Sequence, residues 1–517
     1  MTFNKNYLFI SLIAIFSFSI NFHYANIGVM PNDGFVLYNG GYRVLNGYIP
    51  FKDYWLITGP LLDYLNALFF LIGGISWKSY IAHSSFFNLI ISVSTYFLLI
   101  TLKLNKNFSF FYSILFSLLM YPVVGTPFVD HHSTIFMLLA YYLLVAGIEK
   151  KNNNFFLFIP FLMCLAFLSK QTPATYGLIC LIIIFFIYTM LNLNQFINIV
   201  KPLIYGLIFS FLFLIIFFYL TGIPPSDFVQ QYILFAKTIG SFRFSTYEFN
   251  FDSVLLQYKF LNILLLVLAF ILFKLPNKFN KNKKDFLIIL SAIILSCFLI
   301  FHQILTMNQN YIFFLIPFIA ALIHKFQDKV FKKKQILLFF SIFICIYAVG
   351  KYHIRFNEHR KFNELEKINL KKAVDAKLLH SSLSGLKWIT LNYPDDPNSE
   401  IYDLKDAMKI IKNEDRKKAI ITEYQFIAPA LSIYDYSPNQ WYHSTVSFPV
   451  KGQKYFSVYK KFFINNLKKN KIELIYIVGT QNKKTLNFIL DEKCFIQKKV
   501  GNIIYENVLI EECEDFK

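Results

Sequence analysis

The feature that most constrains the fold is a series of apolar runs separated by short polar segments. Each run has roughly 20 residues, which is the length that a helix needs to cross the hydrocarbon core of a bilayer. Hydrophobic residues make up 56% of the 517-residue chain, and the mean hydropathy is +0.46. A soluble globular protein does not carry so many such runs. The sequence therefore predicts a polytopic α-helical membrane protein.

The net charge of +20 is carried by lysines in short clusters between the apolar runs, as in 274–284 and 325–334. Clusters of this kind are typical of cytoplasmic loops and do not indicate a nucleic-acid partner. The first run, 7–25, lacks a cleavage site and is interpreted as a retained span with a cytoplasmic N-terminus. Every basic cluster falls on one side if 59–75 is an amphipathic helix in the outer interface of a cell (inner) membrane. About eleven spans then follow, at 7–25, 79–101, 107–124, 132–148, 154–169, 173–191, 202–221, 253–273, 285–306, 311–324 and 335–350.

This assignment of spans predicts three domains. Residues 1–350 form the membrane domain with a first outer loop at 28–78, residues 351–380 form a linker or neck helix, and residues 381–517 form a soluble α/β domain outside the cytoplasm. In the last of these, β-type runs at 418–422, 472–478 and 502–510 alternate with helical patterns near 402–413 and 454–469. Cys494 and Cys513 would pair in an exported domain, or remain free thiols.

The same assignment of spans places several polar residues at the outer face of the membrane. The first outer loop contributes Asp33, Arg43 and Asp53, and two later turns contribute Asp130-His131-His132 and Lys170-Gln171. Asp33 and Asp130 each precede or open a helical pattern, so plain helix capping is the alternative for both. Lys170 could equally be a basic side chain that reaches the interface. It is, however, a basic residue in an outer turn, where the charge bias disfavours one.

Transfer of a sugar from a lipid-linked phosphate donor would use residues of these types. A cation such as Lys170 or Arg43, with Gln171 beside it, or a bound metal, would stabilise the departing phosphate. A carboxylate, Asp33 or Asp130, would take the proton from the acceptor hydroxyl. His131, His132 and Asp53 are candidates for substrate or metal contacts. Adjacent histidines diverge by about 100° on a helix, so the two do not easily serve one site.

A resemblance to a known family strengthens this hypothesis. The pattern of Asp33, Gly40, Arg43, Gly47, Pro50-x-x-Asp53-x-Trp55, Gly59-Pro60-Leu61 and Gly73 resembles the N-terminal signature of GT-C membrane glycosyltransferases. These include the protein mannosyltransferases and the aminoarabinose transferase of lipid A. Pro127-Phe128-x-Asp130 and Phe167-Leu168-x-Lys170-Gln171-Thr172 are similar to later elements of bacterial members. The resemblance covers roughly 7–190. Gly59 stands where the family has the first proline of Pro-Pro-Leu, and the basic residue that often precedes that motif is missing.

The resemblance implies a polyprenyl-phosphate sugar as the donor and assigns the catalytic, acceptor-facing role to Asp33. Transfer by a single displacement with one base would invert the anomeric centre. The acceptor could be a glycan, a lipid or a protein. Some members of the family use a divalent metal, so a metal cofactor stays open here.

Two other functions compete with sugar transfer. A transporter or flippase of lipid-linked glycans would carry polar residues at mid-helix and repeated, broken helices in two related halves, which the sequence does not show. A non-catalytic assembly subunit would bind a partner through its exported tail, and it would leave the acids and lysine of the outer turns unexplained. The sequence favours the glycosyltransferase.

Overall fold

The computed structural model describes residues 5–247, 250–276, 281–307, 311–330, 335–479, 482–510 and 512–516. The helices in chain order are α1 Lys5–Ala25, α2 Pro31–Gly34, α3 Val36–Leu45, α4 Leu61–Gly73, α5 Trp77–Thr101, α6 Lys106–Leu119, α7 Val129–Lys150, α8 Ile159–Ser169, α9 Gln171–Met190, α10 Phe196–Thr221, α11 Pro225–Phe228, α12 Ala236–Thr246, α13 Lys259–Lys274, α14 Lys283–Leu305, α15 Leu315–Phe326, α16 Ile336–Tyr352, α17 Pro397–Lys412, α18 Ile427–Leu431 and α19 Phe456–Asn470. The strands are β1 Val374–Asp375, β2 Lys387–Trp388, β3 Lys418–Thr422, β4 Leu474–Val478, β5 Phe495–Lys499 and β6 Ile504–Leu509. Shorter 3-10 and π turns join several of these elements.

The predicted helical membrane architecture is confirmed. Each predicted span coincides with a helix, and within the described residues seven helices are long and apolar enough to cross a membrane by length and composition. The helices at 106–119, 159–169, 259–274 and 315–326 are shorter than a typical span. The amphipathic segment predicted at 59–75 forms the short apolar helix α4. The lysines 332–334 of the second basic cluster lie outside the described residues.

Helix α10 shows why this chain needs a bilayer. Its apolar span is the most hydropathic of the candidate spans, yet only 11% of it is buried inside the protein. Ile208, Phe211 and Leu212 are each at least half exposed. Apolar surface of this extent is not left facing water, and it is the expected surface of a helix that faces lipid.

The chain folds as two compact units, each assembled from three separate segments. The first unit comprises 1–25, 84–216 and 246–362, and the second comprises 26–83, 217–245 and 363–517. In the first unit α7 is buried along nearly its whole length and packs on α8, α9 and α14. Helices α7 and α14 run antiparallel. Glu149 at the end of α7 pairs with Lys284 at the start of α14. Farther along both helices, the hydroxyl groups of Tyr141 and Ser291 form a hydrogen bond.

The second unit contains a four-stranded sheet in the order β3-β4-β6-β5. Strand β3 pairs parallel to β4, and the other neighbours pair antiparallel. This sheet confirms the small α/β region expected in the tail. Over 351–380, where the sequence predicts a linker or neck helix, a π turn ends at Glu358 after α16, and short 3-10 turns and β1 follow. The charged composition of this stretch lacks the apolar stripe that holds a surface helix on its unit.

Cys494 and Cys513 form a disulfide, which decides the pairing that the sequence left open. Disulfides persist in oxidising compartments.

We expect that replacing both of these cysteines by alanine lowers the free energy of unfolding of the second unit by about 3 kcal/mol. The bond closes a loop with a sequence separation of 19 residues, and its loss frees the unfolded chain. Chemical denaturation of the full chain, with and without a reducing agent, measures the effect. Reduction should destabilise the wild type and leave the double variant unchanged. A wild type insensitive to reduction would contradict the prediction.

Candidate active site

Three segments of the first unit bring polar side chains together. They are the start of α7, the junction of α8 and α9, and the end of α14. Lys170 Nζ lies 3.4 Å from Asp130 Oδ2, and His302 Nε2 lies 3.8 Å from Asp130 Oδ1. Thr172 Oγ1 is 3.3 Å from His302 Nε2. Asp130 and Lys170, which the sequence predicted to act together, therefore lie in contact.

Lys170 stands where the chain breaks between two apolar helices. Its backbone is extended (φ −155°, ψ 132°), so it ends α8 and precedes α9. Ser133 Oγ donates to its carbonyl oxygen at 2.9 Å, which fixes the junction to α7. The side chain is 15% exposed and turns toward Asp130. A lysine that merely reached for the interface would point away from a buried carboxylate.

Asp130 does not cap α7. The cap position is occupied by Phe128, and no side chain caps the helix there. The carboxylate is fully buried, and neither oxygen has a hydrogen bond to a described residue. A buried carboxylate needs compensating charge, which Lys170 supplies here. The two oxygens therefore keep hydrogen-bonding capacity within the cluster.

The helices that form the site add partial positive charge beside the Lys170–Asp130 pair, whose own charges offset each other. Helix α7 begins at Val129 and α9 begins at Gln171, so two helix N-termini meet beside Lys170. Backbone N–H groups at such ends favour anions, and a lysine adds a full positive charge. The arrangement is suited to a phosphate group.

The two adjacent histidines have separate surroundings. His132 Nδ1 lies 2.6 Å from the Tyr121 hydroxyl and 3.4 Å from the Phe128 carbonyl, so its ring braces the start of α7. His131 packs against the rings of Tyr121 and Phe128, and its ring nitrogens have no hydrogen-bond partner among the described residues. His302 was not predicted from the sequence because it lies inside the strongly apolar run of α14. A polar, ionisable residue within such a run was the available signal.

No group of three or more His, Cys, Asp or Glu side chains that could hold a metal occurs among the described residues. At the cluster itself, the Lys170 ammonium occupies the side of Asp130 where a divalent cation would approach. These residues do not fit a divalent metal, because a cationic side chain already lies against the carboxylate.

The remaining predicted site residues belong to the second unit. Asp33 lies half-buried in the short helix α2, and the cap positions of α2 and α3 are occupied by Met30 and Phe35, so Asp33 is the N-cap of neither. Asp53 accepts a hydrogen bond from the Ile49 N–H at 2.8 Å and pairs with Lys469 at 2.8 Å. These contacts give Asp53 a role in holding its loop.

Arg43 forms a buried ion pair. Its guanidinium is 2% exposed and pairs with Asp435 at 2.6 Å, with Nε donating to the same oxygen at 3.0 Å. Burial opposes the charge of Arg43, but the charge and hydrogen bonds of Asp435 prevail and raise its pKa. Asn39 also donates to Asp435, at 2.6 Å. The geometry gives Arg43 a structural contact with Asp435, and the phosphate contact expected from the sequence stays a prediction.

Gly40 explains part of the glycine pattern of this loop. A Cβ added there would collide with the Asp63 carboxylate and the Gln440 amide. Tyr54 donates to Asp63 at 2.8 Å and Gln440 donates at 3.0 Å. Burial raises the pKa of Asp63 to about 7, although these hydrogen bonds lower it. Gly40 therefore permits the close packing of α3 on α4.

We expect that Asp435→Asn destabilises the second unit by about 3–5 kcal/mol, because it leaves the Arg43 guanidinium buried without a counter-charge. The double variant Arg43→Met/Asp435→Leu should recover most of that loss, since it removes both charges together. Lys469→Met is the matched control. It breaks an ion pair whose lysine is 58% exposed, and it should cost under about 1 kcal/mol. Equal losses for Asp435→Asn and Lys469→Met in thermal unfolding would contradict the structural role.

Comparisons with known proteins find similarity among solved structures. No protein-family model matches the chain, and no curated protein matches it. Among solved structures, the chain is similar to a crystal structure of ArnT from Cupriavidus metallidurans bound to undecaprenyl phosphate. The identity is 9%, the TM-score is 0.48, and the alignment covers 99% of each chain. Similarity at that level carries no argument about activity, which has to come from the residues of this chain.

Proposed function

We propose that this protein is a membrane glycosyltransferase of the GT-C type that moves a sugar from a polyprenyl-phosphate donor to an acceptor hydroxyl. The observation that carries the proposal is the pairing of Lys170 with Asp130 between the N-termini of α7 and α9. An anion site of this kind, at the end of apolar helices, suits a lipid whose phosphate lies at the membrane surface. The family resemblance of 7–190 supports the same donor.

In the proposed reaction Lys170 binds the donor phosphate, and the ends of α7 and α9 add their partial positive charge. The acceptor oxygen attacks the anomeric carbon while the bond from that carbon to the phosphate oxygen breaks. Lys170 stabilises the charge that develops on the leaving phosphate. The family resemblance assigns removal of the proton of the acceptor hydroxyl to Asp33, and a single displacement would invert the anomeric centre.

Asp130 serves in this mechanism as a positioning residue. Sequence analysis named it as a second catalytic carboxylate, but it is fully buried and faces Lys170 and His302. A group enclosed in this way holds the ammonium in place and has no open path to an acceptor.

We propose that the site faces the outer side of the cell membrane. Asp130 lies at one end of α7 and Glu149, paired with Lys284, lies at the other end. A helix of 22 residues is about 33 Å long, so these ends reach opposite surfaces of a bilayer. The basic cluster around Lys284 then faces the cytoplasm. The disulfide supports an oxidising compartment for the tail.

A transfer assay tests the function. The purified chain is reconstituted in liposomes with a panel of radiolabelled polyprenyl-phosphate sugars and with glycan, lipid and protein acceptors. We expect label to appear on one acceptor class with release of polyprenyl phosphate. Movement of an intact donor across the bilayer, without transfer, would instead support the flippase. An assembly subunit would do neither.

A further inference from the structure

A cavity of about 650 Å³ lies in the α/β part of the second unit. It is bounded by the starts of β3 and β4, the end of β6, the last turn of α19 and the C-terminal segment. Its lining residues are Lys417, Leu467, Lys468, Lys471, Ile472, Glu473, Leu509 and Phe516. Cavities that hold small ligands have volumes of this order.

The chemistry of the lining divides into two parts. Three lysines stand against one glutamate, and the other four residues are apolar. Glu473 is already engaged, since its Oε1 accepts from the Lys417 N–H at 3.3 Å. A neutral ligand would make no ion pair with the three lysines. A polyanion without an apolar part would make no contact with the four apolar residues.

The end of α19 does not repel an anion as an open helix end would. Lys471 N–H donates to the Lys468 carbonyl at 3.0 Å, and Ile472 N–H donates to the Leu467 carbonyl at 3.0 Å. These bonds cover the carbonyls that would otherwise present negative charge to the cavity. Lys471 holds a left-handed backbone (φ 53°), a conformation that glycine adopts with least strain.

The apolar wall is fixed in place. Phe516 follows Cys513, which is bound to Cys494, and Phe516 N–H donates to the Cys513 carbonyl at 3.1 Å. Asp515 pairs with Lys460 at 2.6 Å, so the segment that carries Phe516 is tied to α19.

We propose that this cavity binds an anionic amphiphile, with a phosphate monoester held by Lys417, Lys468 and Lys471 and an alkyl chain against Leu509 and Phe516. The site is independent of the proposed sugar transfer.

Binding of hexyl phosphate to the full chain in phosphatidylcholine nanodiscs tests this proposal, measured by calorimetry beside inorganic phosphate and hexanol. Hexyl phosphate should bind at least about tenfold more tightly than either of the others. Inorganic phosphate binding as tightly as hexyl phosphate would overturn the proposal, because the apolar wall would then contribute nothing. Absence of hexyl phosphate binding would overturn it as well.

Variants separate a binding role from a structural one. Lys468→Gln and Lys471→Gly should each weaken hexyl phosphate about threefold to fivefold, as the loss of one partly exposed charge does. Lys471→Gly should not lower the melting temperature, since glycine relieves the left-handed backbone. Glu473→Gln should tighten binding, because it removes the opposing charge and keeps an acceptor for Lys417. Lys461→Gln, on the same helix outside the cavity, is the control. An equal loss in the Lys461 variant would show non-specific attraction and overturn the site.

Discussion

Lys170→Met is expected to reduce sugar transfer by about 100-fold to 1,000-fold, in line with the loss of one preorganised group that stabilises developing charge. The substitution keeps the length and apolar stem of the side chain and removes the ammonium beside Asp130. The KM for the polyprenyl-phosphate donor should rise, and the KM for the acceptor should stay unchanged. Steady-state kinetics with each substrate varied in turn measure both effects.

Two controls sharpen this test. Lys284→Met removes a lysine that is paired with a carboxylate at the opposite end of α7, and it should leave the donor KM unchanged. Asp130→Asn should act through Lys170, so the double variant with Lys170→Met should be no worse than Lys170→Met alone. A donor KM that does not respond to Lys170→Met would return Lys170 to a structural role. Additive losses in the double variant would give Asp130 a separate function.

Asp33→Asn is expected to leave the protein folded and inserted but to lower kcat by about 100-fold to 10,000-fold, the usual contribution of a general base. The amide matches the carboxylate in shape and cannot accept the proton. Donor binding should be retained, because Lys170 and the ends of α7 and α9 are unchanged.

The readout that distinguishes a base from a positioning residue is the pH profile. In the wild type the acidic limb of kcat/KM should report a carboxylate, and Asp33→Asn should lose that limb. Asp53→Asn is the matched control within the same loop, since Asp53 is held by the Ile49 N–H and by Lys469. Wild-type turnover by Asp33→Asn would remove Asp33 as the base.

Much of the fold followed from patterns that are local in the chain. The length of the apolar runs and the lysine clusters between them predicted the positions of the membrane helices. The alternation of β-type runs with helical runs predicted β3 at 418–422, which are the bounds of the observed strand. Strand β5 was missed because it is a sheet edge. Phe495 alone is buried there, and the other four residues are exposed, so the segment lacks the apolar run that signals a strand.

The candidate site was harder to predict because its geometry depends on pairs that are distant in the sequence. The assignment of spans from the lysine clusters placed Asp130 and Lys170 in turns at the same face of the membrane. The sequence therefore predicted that the two residues lie on the same side. His302 was hidden by its apolar neighbours. Arg43 was assigned to phosphate because Asp435, its actual partner, is 392 residues away and no local pattern links the two.

That separation has a consequence for biosynthesis. Translation proceeds at about 5–20 residues per second, so roughly 20–80 s pass between the synthesis of Arg43 and that of Asp435. During this interval the early loop carries a guanidinium whose final counter-charge does not yet exist. The second unit can close only when nearly the whole polypeptide has left the ribosome. A nascent chain truncated after α16 should therefore be a substrate for quality-control proteases, even though its membrane helices are all present.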